Sequence, residues 1–214
     1  MGGTGSGGLL VPDEVRGLRE DMARYRCALR VVQTTIDNID DYFTSRGDAN
    51  PIEHVKYRIK SPESIAGKLL ERGLPLTARS ATENLSDIAG ARIICSYAKD
   101  IAWIAETLKE ATGLQVLSEK DYVAAPKPSG YRSYHMIVAV DTGSVFAGQQ
   151  CRVEIQIRTA AMDFWASLEH KVRYKHGGVV PEHLNRELQV CAEKIHELDD
   201  RMYLIHELVE LVNE

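Results

Sequence analysis

In Arg152-Val153-Glu154-Ile155-Gln156-Ile157-Arg158-Thr159, polar and apolar residues alternate as far as Arg158. Strand geometry sends successive side chains to opposite faces, so Val153, Ile155 and Ile157 share one face while Arg152, Glu154, Gln156 and Arg158 share the other. One face builds a core. The other displays a carboxylate in a row with two guanidinium groups. Taken alone, this is the pattern of an ordinary half-solvated antiparallel strand. Its neighbours in the chain turn the polar face into a candidate site.

The 214 residues are 44% apolar and 27% charged, near the globular average, and suit one elaborated domain with helical appendages. No apolar run approaches the roughly 20 residues of a membrane helix, so a soluble protein is expected. The opening Met-Gly-Gly-Thr-Gly-Ser-Gly-Gly has neither the basic segment nor the apolar core of a signal peptide. Residues 1–11 therefore read as a flexible leader outside the fold. Cys27, Cys95, Cys151 and Cys191 are far apart, form no C-x-x-C pair and sit among apolar neighbours. That predicts buried free thiols in a reducing cytoplasm and argues against a cysteine metal site.

Net charge is −5, which disfavours a protein whose whole surface tracks nucleic acid. Cations nonetheless cluster, first from Lys56 through Arg58, Lys60 and Lys68 to Arg79, then from Lys127 to Lys175. A cationic pocket in an acidic protein suits a small polyanion.

Two segments carry sustained heptad spacing. Leu18, Met22, Tyr25, Leu29, Val32, Ile36, Ile39 and Phe43 mark a long helix within 12–47, and Leu184, Leu188, Cys191, Ile195, Leu198, Met202, Ile205, Val209 and Val212 mark another within 179–214. They bracket an α/β core at 48–178. Each stripe must be covered, by the chain itself or by a second copy. Inside the brackets, Ser61-Pro62 opens a short helix carrying Lys68 and ended by Gly73. Arg92 to Cys95 reads as a buried strand, Asp100 as the cap of a helix running to Gly113, and Met136 to Val140 as another strand. After a turn at Asp141-Thr142-Gly143 and the strand of Glu154, Thr159 caps a helix with Met162, Trp165 and Leu168 inward. The expected fold is α/β: a mixed or antiparallel sheet of about five strands with helices packed on it.

Lys56, Arg58 and Lys60 share a strand face, a pattern usual for a solvated edge. Asp87 precedes a small-residue turn and Arg92. Between Asp121 and His135, two prolines and a glycine fix a loop that presents Lys127, Tyr131, Arg132 and His135. A tyrosine plate can stack on a purine while a nearby cation holds its phosphates. With Asp87 and Glu154 added, two carboxylates converging on a polyphosphate point to Mg²⁺, which prefers carboxylate and phosphate oxygens.

R-I-K-S-P-E-S-I-A-G-K-L, D-I-A-G-A-R-I-I-C, P-K-P-S-G-Y-R-S-Y-H and V-E-I-Q-I-R-T-A-A-M-D-F-W-A-S-L-E-H-K-V-R-Y-K, in this order and spacing, resemble the synthetase domain of the RelA/SpoT family. The likeness spans roughly Asp40 to Lys175. It leaves room only for bracketing helices, so the chain resembles a small alarmone synthetase with a nucleotidyltransferase-like core. The resemblance implies transfer of pyrophosphate from ATP to the ribose 3′-hydroxyl of GTP or GDP, releasing AMP and giving (p)ppGpp. It implies that Arg58 and Arg92 sandwich adenine, that Lys60 and Lys68 hold ATP phosphates, and that Asp87 and Glu154 bind Mg²⁺. Tyr131 would stack on guanine, with Lys127, Arg132, His135 and Gln156 near the acceptor. Glu154 is also the implied activator of the 3′-hydroxyl, yet hydrogen bonds from two arginines would make it a poor base, so its metal role ranks first. Ser129 stands where some members carry asparagine. The family also implies a homotetramer. A reading of another class is a non-catalytic nucleotide- or RNA-binding regulator using the same basic cleft. The net charge counts against extended RNA contact.

Overall fold

The stretch 152–159 becomes an inner strand of a five-stranded mixed sheet. The structure, a computed structural model, describes residues 12–213 apart from 48, 147, 178 and 179, and the glycine-rich leader lies outside the described residues. In chain order the elements are α1 (Pro12–Arg46), β1 (Ile52–Ile59), α2 (Pro62–Glu71), α3 (Ala78–Asn84), β2 (Ala89–Cys95), α4 (Ala98–Glu110), β3 (Leu114–Asp121), β4 (Tyr134–Asp141), β5 (Gln150–Thr159), α5 (Ala160–Lys175) and α6 (Glu182–Asn213). Sheet order is β1-β2-β5-β4-β3, with β2 and β5 parallel and the other pairs antiparallel. Burial marks β2 as an inner strand: Ala89-Gly90-Ala91 and Ile93-Ile94-Cys95 are all buried.

Val153, Ile155 and Ile157 are fully buried, each contributing roughly 1.5–3 kcal/mol. They share a core with Tyr25, Ala28, Val32 and Ile36 of α1 and with Ile104 and Leu108 of α4. One sheet face is thus roofed by α1 and α4. The opposite face is left for polar chemistry.

Local signals hold at most helix ends. Ser61 caps α2 by accepting from the Ser64 amide, and Thr159 caps α5 by accepting from the Met162 amide. Asp100 is displaced from its expected place: Tyr97 is the N-cap of α4, and Asp100, the third residue of the helix, accepts from the Tyr97 amide. Leu168, expected inward, is exposed, because α5 turns only its Met162 and Trp165 side to the protein. Cys191, expected buried, is also exposed, although all four cysteines are free. β3 and α3 went unread. β3 is an edge strand, largely exposed and broken by a register shift between Val116 and Ser118, so it lacks clean alternation. α3 has no apolar stripe, and its only signal is the Thr77 cap.

The two heptad helices part ways. The stripe of α1 is covered by the sheet, with Tyr25, Val32, Ile36 and Ile39 buried. On α6, Leu188, Ala192 and Ile195 pack around Trp165 and Asp199 is buried against Thr159, whereas Leu198, Met202, Ile205, Val209 and Val212 are exposed.

Candidate active site

Register across four strands builds two parallel rows on the open face. Arg58, Gly90 and Glu154 are successive partners across β1, β2 and β5, and Lys56, Arg92, Gln156 and His135 are successive partners across β1, β2, β5 and β4. Gly90 contributes no side chain, which leaves a hollow of about 250 Å³ between Arg58 and Glu154. A larger recess of about 580 Å³ adjoins it, bounded by Arg58, Arg92, Tyr131, Arg158, Ser167 and His170. Arg58 and Arg92 border both spaces, so a planar base and its phosphates could bind across one continuous cationic floor.

Asp87 lies in the turn before β2. Its Oδ2 takes Lys60 Nζ at 2.9 Å and Lys68 Nζ at 2.5 Å. Burial pushes this carboxyl up, but the two ammonium groups outweigh it and hold it below the ordinary carboxylate range. Glu154 behaves alike. Burial raises it, and His135 Nδ1 at 3.5 Å and then Arg58 at 3.8 Å bring it below its usual value. Gln156 Nε2 donates to Glu154 Oε2 at 3.0 Å. The charge of Asp87 is felt at Glu154, where it works against ionisation.

The two arginines flanking Glu154 in sequence do not bind it. Arg152 donates to the Glu83 carbonyl at 2.9 Å, at the protein surface. Arg158 is nearly enclosed and donates to Gln156 Oε1 and the Tyr131 hydroxyl, both at 2.7 Å. The expectation of a doubly arginine-bonded Glu154 is thereby corrected. Arg158 stands four residues along the strand from Glu154, roughly 13 Å at a rise of about 3.3 Å per residue, and Arg152, though nearer, turns away to Glu83.

Residues 57–179 match the family described as the region found in RelA / SpoT proteins. The chain belongs to the RelA/SpoT family. Among its relatives, the GTP pyrophosphokinase YwaC of Bacillus subtilis is 42% identical over 89% of this chain and 92% of its own length. The GTP pyrophosphokinase YjbM of the same organism is 38% identical over 83% of each. The crystal structure of small alarmone synthetase 1 from Bacillus subtilis bound to its product pppGpp superposes with a TM-score of 0.83 at 34% identity, covering 91% of this chain and 99% of that one. The RelA/SpoT match spans every open-face residue but Lys56, and includes the loop before β4.

That loop is held from several sides. Lys127 lies over the rings of Tyr122 and Tyr131 at 4.6 and 4.7 Å, and the Tyr131 hydroxyl meets His135 Nε2 at 2.8 Å. Arg132 faces elsewhere: its guanidinium donates to the Val123 carbonyl at 2.6 Å and lines a cavity between the loop and α6. The open face therefore gathers Arg58, Arg92, Gln156, Glu154, Tyr131 and His135, while Lys127 stands over Tyr131 and shares with Arg132 the cavity toward α6, and Lys60, Lys68 and Asp87 form an ion cluster of their own before β2.

Asp163 was missed. It is nine-tenths buried and ties three cations together, with Arg92 at 3.0 Å, Arg158 at 3.2 Å and Lys56 at 3.6 Å. Its position in the first turn of α5, four residues past the Thr159 cap, was the available signal.

The donor set fits a magnesium ion. Asp87 and Glu154 could supply hard carboxylate oxygens, and Mg²⁺ in phosphate chemistry commonly takes one or two carboxylates and leaves its other positions to water and substrate. Among the described residues no group of three or more His, Cys, Asp or Glu side chains could form a fuller cage.

Proposed function

We propose that this protein transfers the β,γ-pyrophosphate of ATP to the ribose 3′-hydroxyl of GTP or GDP, releasing AMP and giving (p)ppGpp, the alarmone of the stringent response. The likeness to a synthetase crystallised with pppGpp, over nearly the full length of both chains, carries the reading. The polar face of the sheet supports it with the cations, acids and aromatic ring that two nucleotides need. In this reading Arg58 and Arg92 grip adenine, while Lys60 and Lys68 neutralise the ATP phosphates. Tyr131 stacks on guanine beside Lys127, His135 and Gln156. Arg132 acts by holding the loop through Val123.

Asp87 and Glu154 would hold Mg²⁺, which supplies charge screening for the transferred group. The rest of the catalysis is positioning: the 3′-hydroxyl and the β-phosphorus must be brought in line against charge repulsion, which fixed cations relieve. A carboxylate held below its usual pKa is a weak base, so Glu154 serves first as a metal ligand. Incubation with ATP, GTP and Mg²⁺ should yield AMP and the pentaphosphate nucleotide in equal amounts by anion-exchange chromatography. Absence of both would remove the proposal.

The protein works in this reading as a cytoplasmic homo-oligomer, a tetramer as the family resemblance implies. The free thiols fit a reducing compartment, and among the described residues no helix is long and apolar enough to cross a membrane. The exposed stripe of Leu198, Met202, Ile205 and Val209 on α6 is the surface a second copy would cover.

A further inference from the structure

We infer that α6 is the clamp that sets the position of the guanosine-binding loop, with Ala192 and Gln189 as its positioning residues. The inference rests on the guanosine role proposed for Tyr131 and Lys127, and it assigns to a helix outside the sheet a part in acceptor affinity.

Gly130, the residue before Tyr131, has a φ of +89°, a conformation that side chains other than glycine rarely adopt. Conformation is only half of the constraint. A Cβ added at Gly130 would stand 2.5 Å from Ala192 Cβ and 3.7 Å from Gln189 Cα, so the loop lies directly on the backbone of α6. The contact works only because one residue has no side chain and the other has a single methyl. Gln189 Nε2 donates to the Pro128 carbonyl, tying down the residue two before the glycine. Inside the loop, the Gly130 amide donates to the Lys127 carbonyl at 2.8 Å and the Lys127 amide to the Tyr131 carbonyl at 3.1 Å. The turn that α6 grips is therefore the same turn that aims Lys127 and Tyr131.

The helix itself is anchored from the catalytic side. Trp165 of α5 donates its indole N–H to the Leu188 carbonyl at 2.9 Å and forms a buried cluster with Ala166 and Ala192, against which Tyr131 packs. A shift of α6 at Ala192 must then either open this cluster or carry Tyr131 with it. Arg58, Lys60 and Lys68 lie on β1, in the turn after it and on α2, none of which takes part in the clamp. A disturbed clamp should weaken the acceptor nucleotide and spare ATP.

Calorimetric titration of the full chain with GTP, and separately with a non-hydrolysable ATP analogue, tests this. Gly130→Ala should raise the GTP Kd about tenfold or more. Adding Ala192→Gly opens the space and should recover part of that loss, the strain of the positive φ remaining. Gln189→Ala adds no volume, and should raise the GTP Kd severalfold with the ATP-analogue Kd and the Tm held near wild type. It decides the matter by itself if Gly130→Ala fails to fold. Failure of Ala192→Gly to recover any affinity, together with a silent Gln189→Ala, would overturn the clamp, as would parallel loss of the ATP analogue. GTP binding without AMP production would refute the enzymatic reading and leave the clamp standing. A wild-type protein that does not bind GTP would refute both.

Discussion

Gly90 and Glu154 are partners across the parallel β2–β5 pair, and a Cβ at Gly90 would stand 3.2 Å from the Glu154 carbonyl oxygen. That contact is tighter than ordinary packing, and Arg58 borders the same space at 3.8 Å. Gly90→Val therefore both pushes on the Glu154 backbone and fills the hollow over the sheet. Binding of an ATP analogue should weaken by roughly tenfold or more, with a smaller loss of thermal stability. Calorimetry showing wild-type affinity would mean that the hollow is not part of the nucleotide site.

Glu154→Gln keeps the shape of the side chain and a hydrogen-bonding oxygen but removes the charge. Turnover should fall by at least about a hundredfold while both nucleotides still bind. Rapid-quench assay of AMP formation beside equilibrium binding separates the two effects. Undiminished AMP formation would place the chemistry elsewhere and return attention to a non-catalytic binding role.

Asp163→Ala leaves the enclosed Arg158 without its carboxylate partner. Removing one member of a buried ion pair typically costs about 3–5 kcal/mol, and here the orphaned cation is almost fully shielded from water. Denaturant unfolding should show a loss of that order. Arg158→Met in the same background should restore part of it, since no charge is then left buried alone. A single-mutant loss of under about 1 kcal/mol would show that the pair is not stabilising.

Asp199 is buried, and burial pushes its carboxyl above the ordinary value of 3.8, against the Thr159 hydroxyl that donates to its Oδ2 at 2.6 Å and the neighbouring charge of His196. The folded state then binds more protons than the unfolded chain in the window that opens at the unfolded pKa and closes at the raised one. Stability contributed by this group is present below that window and falls as pH rises through it. Asp199→Asn keeps an acceptor for Thr159 and removes the ionisation. Urea midpoints measured from acid towards neutrality should show the variant gaining on wild type through the window and the difference then staying constant. A difference independent of pH would show that the group does not couple to folding.

Ile205→Asp places a charge in the exposed apolar stripe of α6, where a second copy is proposed to dock. Light scattering at micromolar concentration should show the wild type as an oligomer and the variant as a smaller species. A wild-type monomer would refute the assembly.

Part of this architecture could be read directly. Ser61, Thr159, Gly73 and Gly143 mark element ends because caps and positive-φ turns depend on residues within a few positions of each other. The same locality misled at Asp100, where helix entry began three residues earlier at Tyr97. It left β3 unread, because an exposed edge strand needs no apolar face. For the site, the charge-bearing residues other than Asp163 were legible in the sequence, but their partners were not. Arg158 looked like a companion of Glu154, whereas it belongs to Asp163, Gln156 and Tyr131.

Alternation along 152–159 and the sustained heptads are periodicities of the chain itself, so the sequence alone determined which face of β5 is buried and that two long helices flank the core. Only the tertiary structure decided that Gly90 sits between Arg58 and Glu154, that Asp163 gathers three cations, and that α6 rests on Gly130. Strand register and helix docking are set by the joint packing of segments far apart in the chain, and a one-residue slip of any strand would turn its side chains to the opposite face.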